Sequence, residues 1–368
     1  MTSVAIHVDQ LFSKAPGGIG TYVRELVPAL RRVEPGLEVV AFHAAFDAAP
    51  EPWLAGLPVE RLPGRIRRLY PLWDLLGRPP LPERLRGLDV VHAPNPAAVP
   101  PAGPGQRLVV TVHDLAFLRY PRAFPRPWRL LYRAGLRAAV RRADAILTPS
   151  RHTAEDLVER TRVAPERVHV VPLAAALPPA AVDTDAVLDR LKIPRPYLLY
   201  VGTLEPRKNL VRLVRAYRRA AAEGFPHALV LAGPLGWHAH ALHRELALRG
   251  RGEVLLTGPV GGEALDALYR GADLFVYPSL YEGFGLPVLE AMARGIPVIA
   301  SASSSIPEVA GDAALLVDPR SVRELARALV EVLADRETAE RLALRGRARA
   351  ERFSWEETAR GTLRAYRG

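Results

Sequence analysis

Short apolar runs recur along the chain, with stretches of helical period between them. In the first half they fall at residues 4–8, 39–42, 88–92, 108–112, 145–148 and 168–171, separated by segments such as 22–32. A second series follows at 197–201, 228–231, 254–257, 274–277, 298–300 and 314–317. Strands that are apolar throughout are covered on both faces, and their alternation with helices predicts parallel sheets lined by helices on each side. Between the two series, residues 172–181 (PLAAALPPAA) read as the linker. The pattern predicts two α/β domains, each a doubly wound parallel sheet, in which ligands sit at the carboxyl ends of the strands.

Length agrees, since 368 residues exceed one core and a domain averages about 150 residues. With 49% hydrophobic residues the chain can bury two cores. It contains no cysteine, which excludes disulfides and thiolate metal sites and fits a reducing cytosol. No run reaches the ~18 apolar residues of a membrane span, and MTSVAIHVDQ opens a strand rather than a signal peptide. A cytoplasmic protein is expected. The net charge is +11, and of 50 basic residues only Lys14, Lys192 and Lys208 are lysine, a composition that a GC-rich genome also produces. Residues 1–177 hold 24 basic and 16 acidic groups against 26 and 23 in 178–368, which points the first half toward an anionic partner.

The densest candidate chemistry lies in residues 277–301, YPSLYEGFGLPVLEAMARGIPVIAS. A strand-type run ends at Tyr277, a loop carries Gly283, Phe284 and Gly285, and Pro287 favours a helix start after Leu286. Glu282 and Glu290 stand eight residues apart across that junction. Free N–H groups of a helix start suit a phosphate, and acceptor-only carboxylates suit hydroxyls, so the pair predicts a ligand with both. The plainer reading is that Glu290 only complements the helix N-terminus, worth under about 1 kcal/mol when exposed.

Residues 200–210, YVGTLEPRKNL, form the second block. Arg207 and Lys208 occupy the loop between a strand ending at Gly202 and a helix starting near Asn209, a good capping residue. Cations beside a helix N-terminus oppose its dipole, and a bound diphosphate would remove the conflict. Lysine in an arginine-rich chain suggests that a compact ammonium is wanted there. A solvated basic loop is the alternative.

Residues 111–115, TVHDL, put His113 and Asp114 at a strand end, with His92 and Asn95 ending the neighbouring strand. A lone histidine is more often structural than catalytic. Gly17, Gly18 and Gly20 precede a helix expected from Thr21, but Val23 stands where a dinucleotide fingerprint needs glycine. The glycines then either allow backbone to approach a ligand or make an ordinary turn. Arg126, Arg129, Arg133, Arg137 and Arg141 form one helical stripe, and residues 119–142 contain eight arginines and no acid. That stripe suits an anionic membrane surface or a lipid diphosphate, and equally a solvated face. No nucleic-acid-binding motif accompanies it.

With E-x7-E inside PSxxEGFGxPxLEAMAxGxPVIAS, and with GGIG, TVHDL and GTLEPRKN in order before it, the chain resembles glycosyltransferase family 4. The resemblance implies a GT-B fold of two Rossmann-like domains facing across a cleft. It divides the chain into an acceptor-binding domain (1–175, completed by a last helix at 354–368) and a nucleotide-sugar-binding domain (176–353). It implies retaining transfer of a hexose from a nucleotide diphosphate sugar to a hydroxyl of a glycan or lipid-linked acceptor. In such enzymes a phosphate oxygen of the donor is thought to take the acceptor's proton. Lys208 and Arg207, with the helix start at Gly283–Leu286, then meet the leaving diphosphate. Glu290 holds the ribose, Glu282 and His113 hold the sugar, Gly18 and Gly20 let backbone approach, and Val260 offers backbone groups to the base. Several family members carry arginine where this chain has Thr203, which leaves Arg207 to supply that cation. No Asp-x-Asp motif ends a strand, so no metal cofactor is expected. The blocks look most like GDP-mannose-dependent enzymes, with UDP-glucose-type donors as the alternative. A nucleotide-dependent oxidoreductase, which explains neither EGFGLPVLE nor EPRKN, and a non-catalytic sugar-nucleotide-binding module are rivals of other classes. A cytoplasmic protein, docking at the inner membrane face if the arginine stripe binds lipid, is the expected setting.

Overall fold

The computed structural model describes residues 2–12, 17–46, 54, 56–177 and 183–368. It divides into two compact units, Met1–Leu173 with Ser354–Gly368, and Ala174–Phe353. The linker segment 172–181 thus contains the division, and its end lies outside the described residues.

The first unit is a seven-stranded sheet of β1 (Ser3–His7), β2 (Glu38–His43), β3 (Val59–Arg61), β4 (Val90–Ala93), β5 (Arg107–Thr111), β6 (Ala145–Thr148) and β7 (Val168–Val170). Its order is β3-β2-β1-β4-β5-β6-β7 and every pairing is parallel. β3 escapes the hydrophobic pattern because it has three residues, sits at the edge and buries none of them fully. The second unit holds β8 (Tyr197–Val201), β9 (Ala228–Ala232), β10 (Val254–Gly258), β11 (Leu274–Tyr277), β12 (Val298–Ser301) and β13 (Leu315–Val317) in the parallel order β10-β9-β8-β11-β12-β13. Strand order reverses beside β1 and again beside β8, and such switch points are where open α/β sheets place ligands.

The helix Trp355–Arg367 belongs to the first unit. Ser354 caps it by accepting from the Glu357 N–H at 3.1 Å, and Thr358 Oγ1 donates to the Pro172 carbonyl at 2.7 Å. It lies against the helix Gly17–Val33, whose Tyr22, Val23, Leu26 and Leu30 are buried. Its Tyr366 hydroxyl reaches His92 Nδ1 in β4 at 2.8 Å. That helix starts at Gly17 rather than at Thr21, so the glycines form its first turn, where N–H groups lack intrahelical partners anyway. Gly17, at φ +58°, occupies backbone space that glycine enters at no steric cost.

Candidate active site

In the second unit, β8 ends at Val201 and the chain turns through a 3₁₀ turn, Pro206–Lys208, before the helix Leu210–Ala221. Across the switch point, β11 ends at Tyr277 and leads into the helix Leu286–Ala293. These two junctions meet. Glu282 Oε1 accepts from Lys208 Nζ at 2.6 Å, and Glu282 Oε2 from Arg207 Nη1 at 3.0 Å. Arg207 Nη1 also donates to the Tyr281 carbonyl at 2.6 Å, and Lys208 Nζ to the Tyr277 hydroxyl at 2.8 Å. On its other edge Arg207 gives Nε and Nη2 to Glu205 Oε1 at 3.1 and 2.7 Å. The side chains of all four ions are about 10% exposed.

Burial alone would raise the Glu282 carboxyl, but the charges of Arg207 and Lys208 and the lysine hydrogen bond outweigh it and hold the group at about 2. Burial, with repulsion from Arg207, pulls the Lys208 ammonium below its ordinary value against the attraction of Glu282. The cluster is a partly dried charge lattice at a strand end, with two cations balanced by two carboxylates. An anion arriving here would compete with Glu282 for Lys208.

Asn209 does not cap its helix with its side chain. It adopts the left-handed conformation at φ 63° and gives Nδ2 to the Pro278 and Pro319 carbonyls at 3.0 and 2.6 Å, tying the loop to the end of β11. Thr203, half-buried in the same loop, accepts through its carbonyl from the Tyr200 hydroxyl at 3.3 Å.

The loop after Glu282 is fixed by serines that sequence reasoning passed over. Ser305 Oγ donates to the Glu282 and Phe284 carbonyls, both at 2.9 Å, and Ser304 Oγ accepts the Glu282 N–H at 2.8 Å. Gly283 and Phe284 are buried. Gly285 turns into the helix at φ 115°, a conformation that favours glycine, and a Cβ there would lie 2.6 Å from Ile306 Cδ1, which would have to shift. Leu286 opens the helix with Pro287 behind it and no side-chain cap, which leaves its start available to an anion. Glu290, one turn further on and half-buried, accepts the Tyr269 hydroxyl at 2.9 Å. Arg294 Nη1 donates to the Glu290 carbonyl at 3.0 Å, stacks over Tyr269 and pairs with buried Asp266 at 2.8 Å. Val260 is half-buried just past β10, whose last residue Gly258 accepts the Gly233 N–H at 3.0 Å.

The first unit holds His113, Gly18 and Gly20. His113 follows β5, and its Nε2 lies 2.9 Å from the Pro94 carbonyl, which assigns the proton to that nitrogen. Burial lowers its pKa to about 4, so the ring is neutral at physiological pH. Asp114 Oδ1 accepts the Ala116 N–H at 2.8 Å at the start of the next short helix, and its charge works against the lowering of His113 by burial. Tyr22 packs edge-on against His113, with ring centroids 4.9 Å apart. His92 is fully buried rather than lining a surface, bonded to Tyr366 and through Nε2 to Thr111 Oγ1 at 2.8 Å. Asn95 accepts the Ala97 N–H at 2.8 Å and is a turn residue. Gly18 is exposed and Gly20 buried.

The arginine stripe lies on the helix Arg126–Arg142. Arg126, Arg137 and Arg141 are exposed, whereas Arg129 and Arg133 are half-buried and Arg129 Nη1 turns to the Pro121 carbonyl at 3.4 Å. Among the described residues no group of three or more His, Asp or Glu side chains could hold a metal ion, and no helix is long and apolar enough to cross a membrane.

Two all-parallel, doubly wound units, each with candidate ligand residues at the carboxyl ends of its strands, define the GT-B class. Solved structures agree: the sucrose-phosphate synthase of Thermosynechococcus elongatus superposes with a TM-score of 0.75 at 24% identity over 100% of this chain and 98% of that one. Anabaena Alr3699/HepE, solved with UDP-glucose, does so at 0.75 and 19% identity over 99% and 100%. The family model for group 1 glycosyl transferases matches residues 188–349, and that for Glycosyltransferase Family 4 matches 16–175. The Escherichia coli O-antigen chain mannosyltransferase B is 35% identical over 269 residues, 71% of this chain and 70% of that protein. The D-inositol 3-phosphate glycosyltransferase of Xylanimonas cellulosilytica is 31% identical over 98% of this chain and 93% of its own length. The chain belongs to glycosyltransferase family 4 and is an enzyme of the nucleotide-sugar-dependent hexosyltransferase class.

Proposed function

We propose that this enzyme transfers mannose from GDP-mannose, with retained configuration, to a hydroxyl of a glycan or lipid-linked acceptor. The observation that carries the reading is the Lys208–Glu282 contact beside the uncapped start of the helix Leu286–Ala293. During transfer the bond from the sugar's anomeric carbon to the phosphate oxygen breaks, the diphosphate leaves with the electron pair, and the acceptor oxygen bonds to that carbon. The acceptor's proton passes to a diphosphate oxygen. Charge growing on the diphosphate is met by Lys208, Arg207 and the helix start; such preorganised groups are worth about 3–4 kcal/mol each in a water-excluded site. In this reading they serve in place of a metal, so transfer persists in EDTA. Glu282 moves from the cations to sugar hydroxyls, Glu290 holds the ribose, and Val260 and its neighbours meet the base. The second unit takes the donor, while the first takes the acceptor and supplies His113 as a neutral hydrogen-bonding group.

Mannose is favoured by the names of the mannosyltransferase relatives. UDP-glucose is the second reading, favoured by the fold neighbour solved with that donor. A thermal-shift screen of GDP-mannose, UDP-glucose, UDP-N-acetylglucosamine and dTDP sugars separates them, since a ligand at 100 times its Kd adds about 2.7 kcal/mol. Stabilisation by UDP-glucose alone would replace mannose by glucose.

A lipid-linked acceptor fits a docking face on the first unit. The helices Ile66–Leu76 and Arg126–Arg142 pack on one another and bury residues in one core, so their outer sides face away from it together. Residues 65–78 and 126–142 hold four and six arginines, and their one acid, Asp74, is buried. Leu72, Leu75, Leu76, Trp128 and Leu130 are exposed among them, at 39 to 67%. Arginines attracting anionic headgroups and leucines entering the acyl boundary make the face peripheral to the cytoplasmic leaflet.

A further inference from the structure

Glu205 is absent from every role above, yet it controls Arg207. Its single oxygen Oε1 takes both Nε and Nη2 of the guanidinium. The fork is planar and rigid, so gripping that edge aims the opposite nitrogen, Nη1, at the Tyr281 carbonyl and at Glu282 Oε2. Glu205 is itself held in place. Pro206 behind it restricts it to extended backbone, observed at φ −131° and ψ 160°. On its other flank the Leu204 N–H donates to the Pro234 carbonyl at 2.9 Å and the Gly236 N–H to the Leu204 carbonyl at 3.1 Å. A Cβ on Gly236 would come within 3.0 Å of Glu205 Cβ and 2.6 Å of Thr203 Cγ2, so the loop after β9 backs directly onto the Glu205 stem.

We propose that Glu205 is a positioning residue for sugar transfer, acting through Arg207 on Glu282. The inference rests on the reading that Lys208 and Glu282 handle the donor. It has two separable consequences. Geometrically, Glu205 fixes the orientation of the Glu282 carboxylate through Arg207. Electrostatically, it brings the cluster of two cations and two carboxylates to zero net charge, so the nucleoside diphosphate product is not held by an excess cation after the bond has broken.

The test measures steady-state transfer and inhibition by GDP for the wild type and for Glu205→Ala, Glu205→Gln and Lys208→Ala, with melting temperatures alongside. For Glu205→Ala, kcat falls about 100-fold, the scale of a misplaced reacting group. Its GDP inhibition constant falls roughly tenfold, as one uncompensated charge near a diphosphate would cause. Glu205→Gln keeps an oxygen for Nε and Nη2 but no charge; it recovers kcat relative to Ala and retains the tighter GDP inhibition. A purely structural residue would not tighten product binding while slowing turnover. A folded Glu205→Ala with wild-type kcat and GDP inhibition overturns the proposal. If that variant does not fold, a folded Glu205→Gln with unchanged GDP inhibition overturns it. Full activity of Lys208→Ala in the same series instead defeats the donor reading beneath it.

Discussion

Lys208 Nζ and Glu282 Oε1 are 2.6 Å apart although 74 residues separate them in the chain. The contact joins the ends of β8 and β11, the neighbours at the switch point of the second sheet. Removing one partner leaves the other buried without its counter-ion, which costs about 3–5 kcal/mol of stability, so deletion alone confuses folding with function. Glu282→Gln keeps an acceptor for Lys208 and is the cleaner variant. Donor turnover by Glu282→Gln and by Lys208→Met is expected to fall by at least about 100-fold, read as nucleoside diphosphate released per minute from protein shown to be folded. Undiminished release by either variant would remove that residue from the chemistry.

Glu290 depends on a partner in a different helix. Tyr269→Phe deletes the 2.9 Å hydrogen bond to its carboxylate without changing the shape of the core. The carboxylate, still half-buried, then loses its fixed orientation toward a ribose. The expected result is about 1 kcal/mol of lost donor affinity, near a fivefold rise in Kd by titration calorimetry, with kcat at saturating donor nearly unchanged. A fall in kcat with constant Kd would move Glu290 from binding to catalysis.

These examples show what the linear chain discloses. Glu282, Lys208 and the glycine turn at Gly285 announce themselves, since strand, loop and helix signals surround each within a dozen residues. Their partners do not. Tyr269, Arg294 and Asp266 look like ordinary members of amphipathic helices, and they converge on Glu290 only when the fold brings the helix Gly262–Arg270, which carries Tyr269 and Asp266, up to residues 290–294. Ser304 and Ser305 lie in a run of serines with no period, and only the folded loop gives Ser304 the Glu282 N–H to accept and Ser305 the carbonyls of Glu282 and Phe284 to bind. The place of His92 is hidden for the opposite reason. A strand-end histidine has the same local sequence whether it faces solvent or, as here, the Tyr366 hydroxyl of a helix 274 residues away. The short edge strand Val59–Arg61 carries too little hydrophobic pattern to be seen at all.

Buried titratable groups make stability pH-dependent with a sign that can be worked out. Burial lowers His92 to about 3 and His113 to about 4, both from 6.5. Between pH 6.5 and 4 the unfolded chain therefore binds protons that the folded one refuses, and each histidine subtracts up to about 1.4 kcal/mol per pH unit on acidification. Asp74 opposes them. Burial raises it from 3.8 to about 7, so its folded form holds a proton through most of that range and stability falls as pH rises instead. Glu282, depressed from 4.5 to about 2, keeps its full contribution until pH drops below 4.5. Melting temperatures between pH 5 and 7 should thus change less steeply with pH in His92→Gln and more steeply in Asp74→Asn than in the wild type. Equal slopes in all three would mean that these groups titrate normally.

The proposed docking face separates charge from apolar insertion. Triple replacement of Arg126, Arg137 and Arg141 by Gln removes three exposed cations, each worth about 1 kcal/mol near an anionic surface. Co-sedimentation with vesicles of 30% phosphatidylglycerol in phosphatidylcholine should fall by two orders of magnitude or more for that variant. A Leu72→Ser, Leu75→Ser, Leu76→Ser variant should bind at low salt and detach on raising it, because only the salt-screened part of its attraction remains. Wild-type protein that ignores these vesicles, or binds pure phosphatidylcholine equally well, would show the arginines to be a solvated face.

Gly135 tests whether the first unit's candidate site is held from behind. In an unobstructed helix, glycine to alanine stabilises by about 0.5–1 kcal/mol. Here a Cβ would stand 1.6 Å from the Pro96 carbonyl oxygen and 3.0 Å from Asp74 Oδ2, so the helix Arg126–Arg142 and the loop after β4 must move apart. Overpacking of this kind costs about 1–3 kcal/mol or more, which reverses the sign set by helix propensity. The displaced loop is the one whose Pro94 carbonyl accepts His113 Nε2 at 2.9 Å. Gly135→Ala should therefore lower the melting temperature and, at a temperature where it remains folded, lower transfer to the acceptor while leaving GDP affinity in the second unit unchanged. Stabilisation by this substitution would mean that helix and loop are not in contact. Loss of GDP affinity would mean that the loop does not act through the first unit alone.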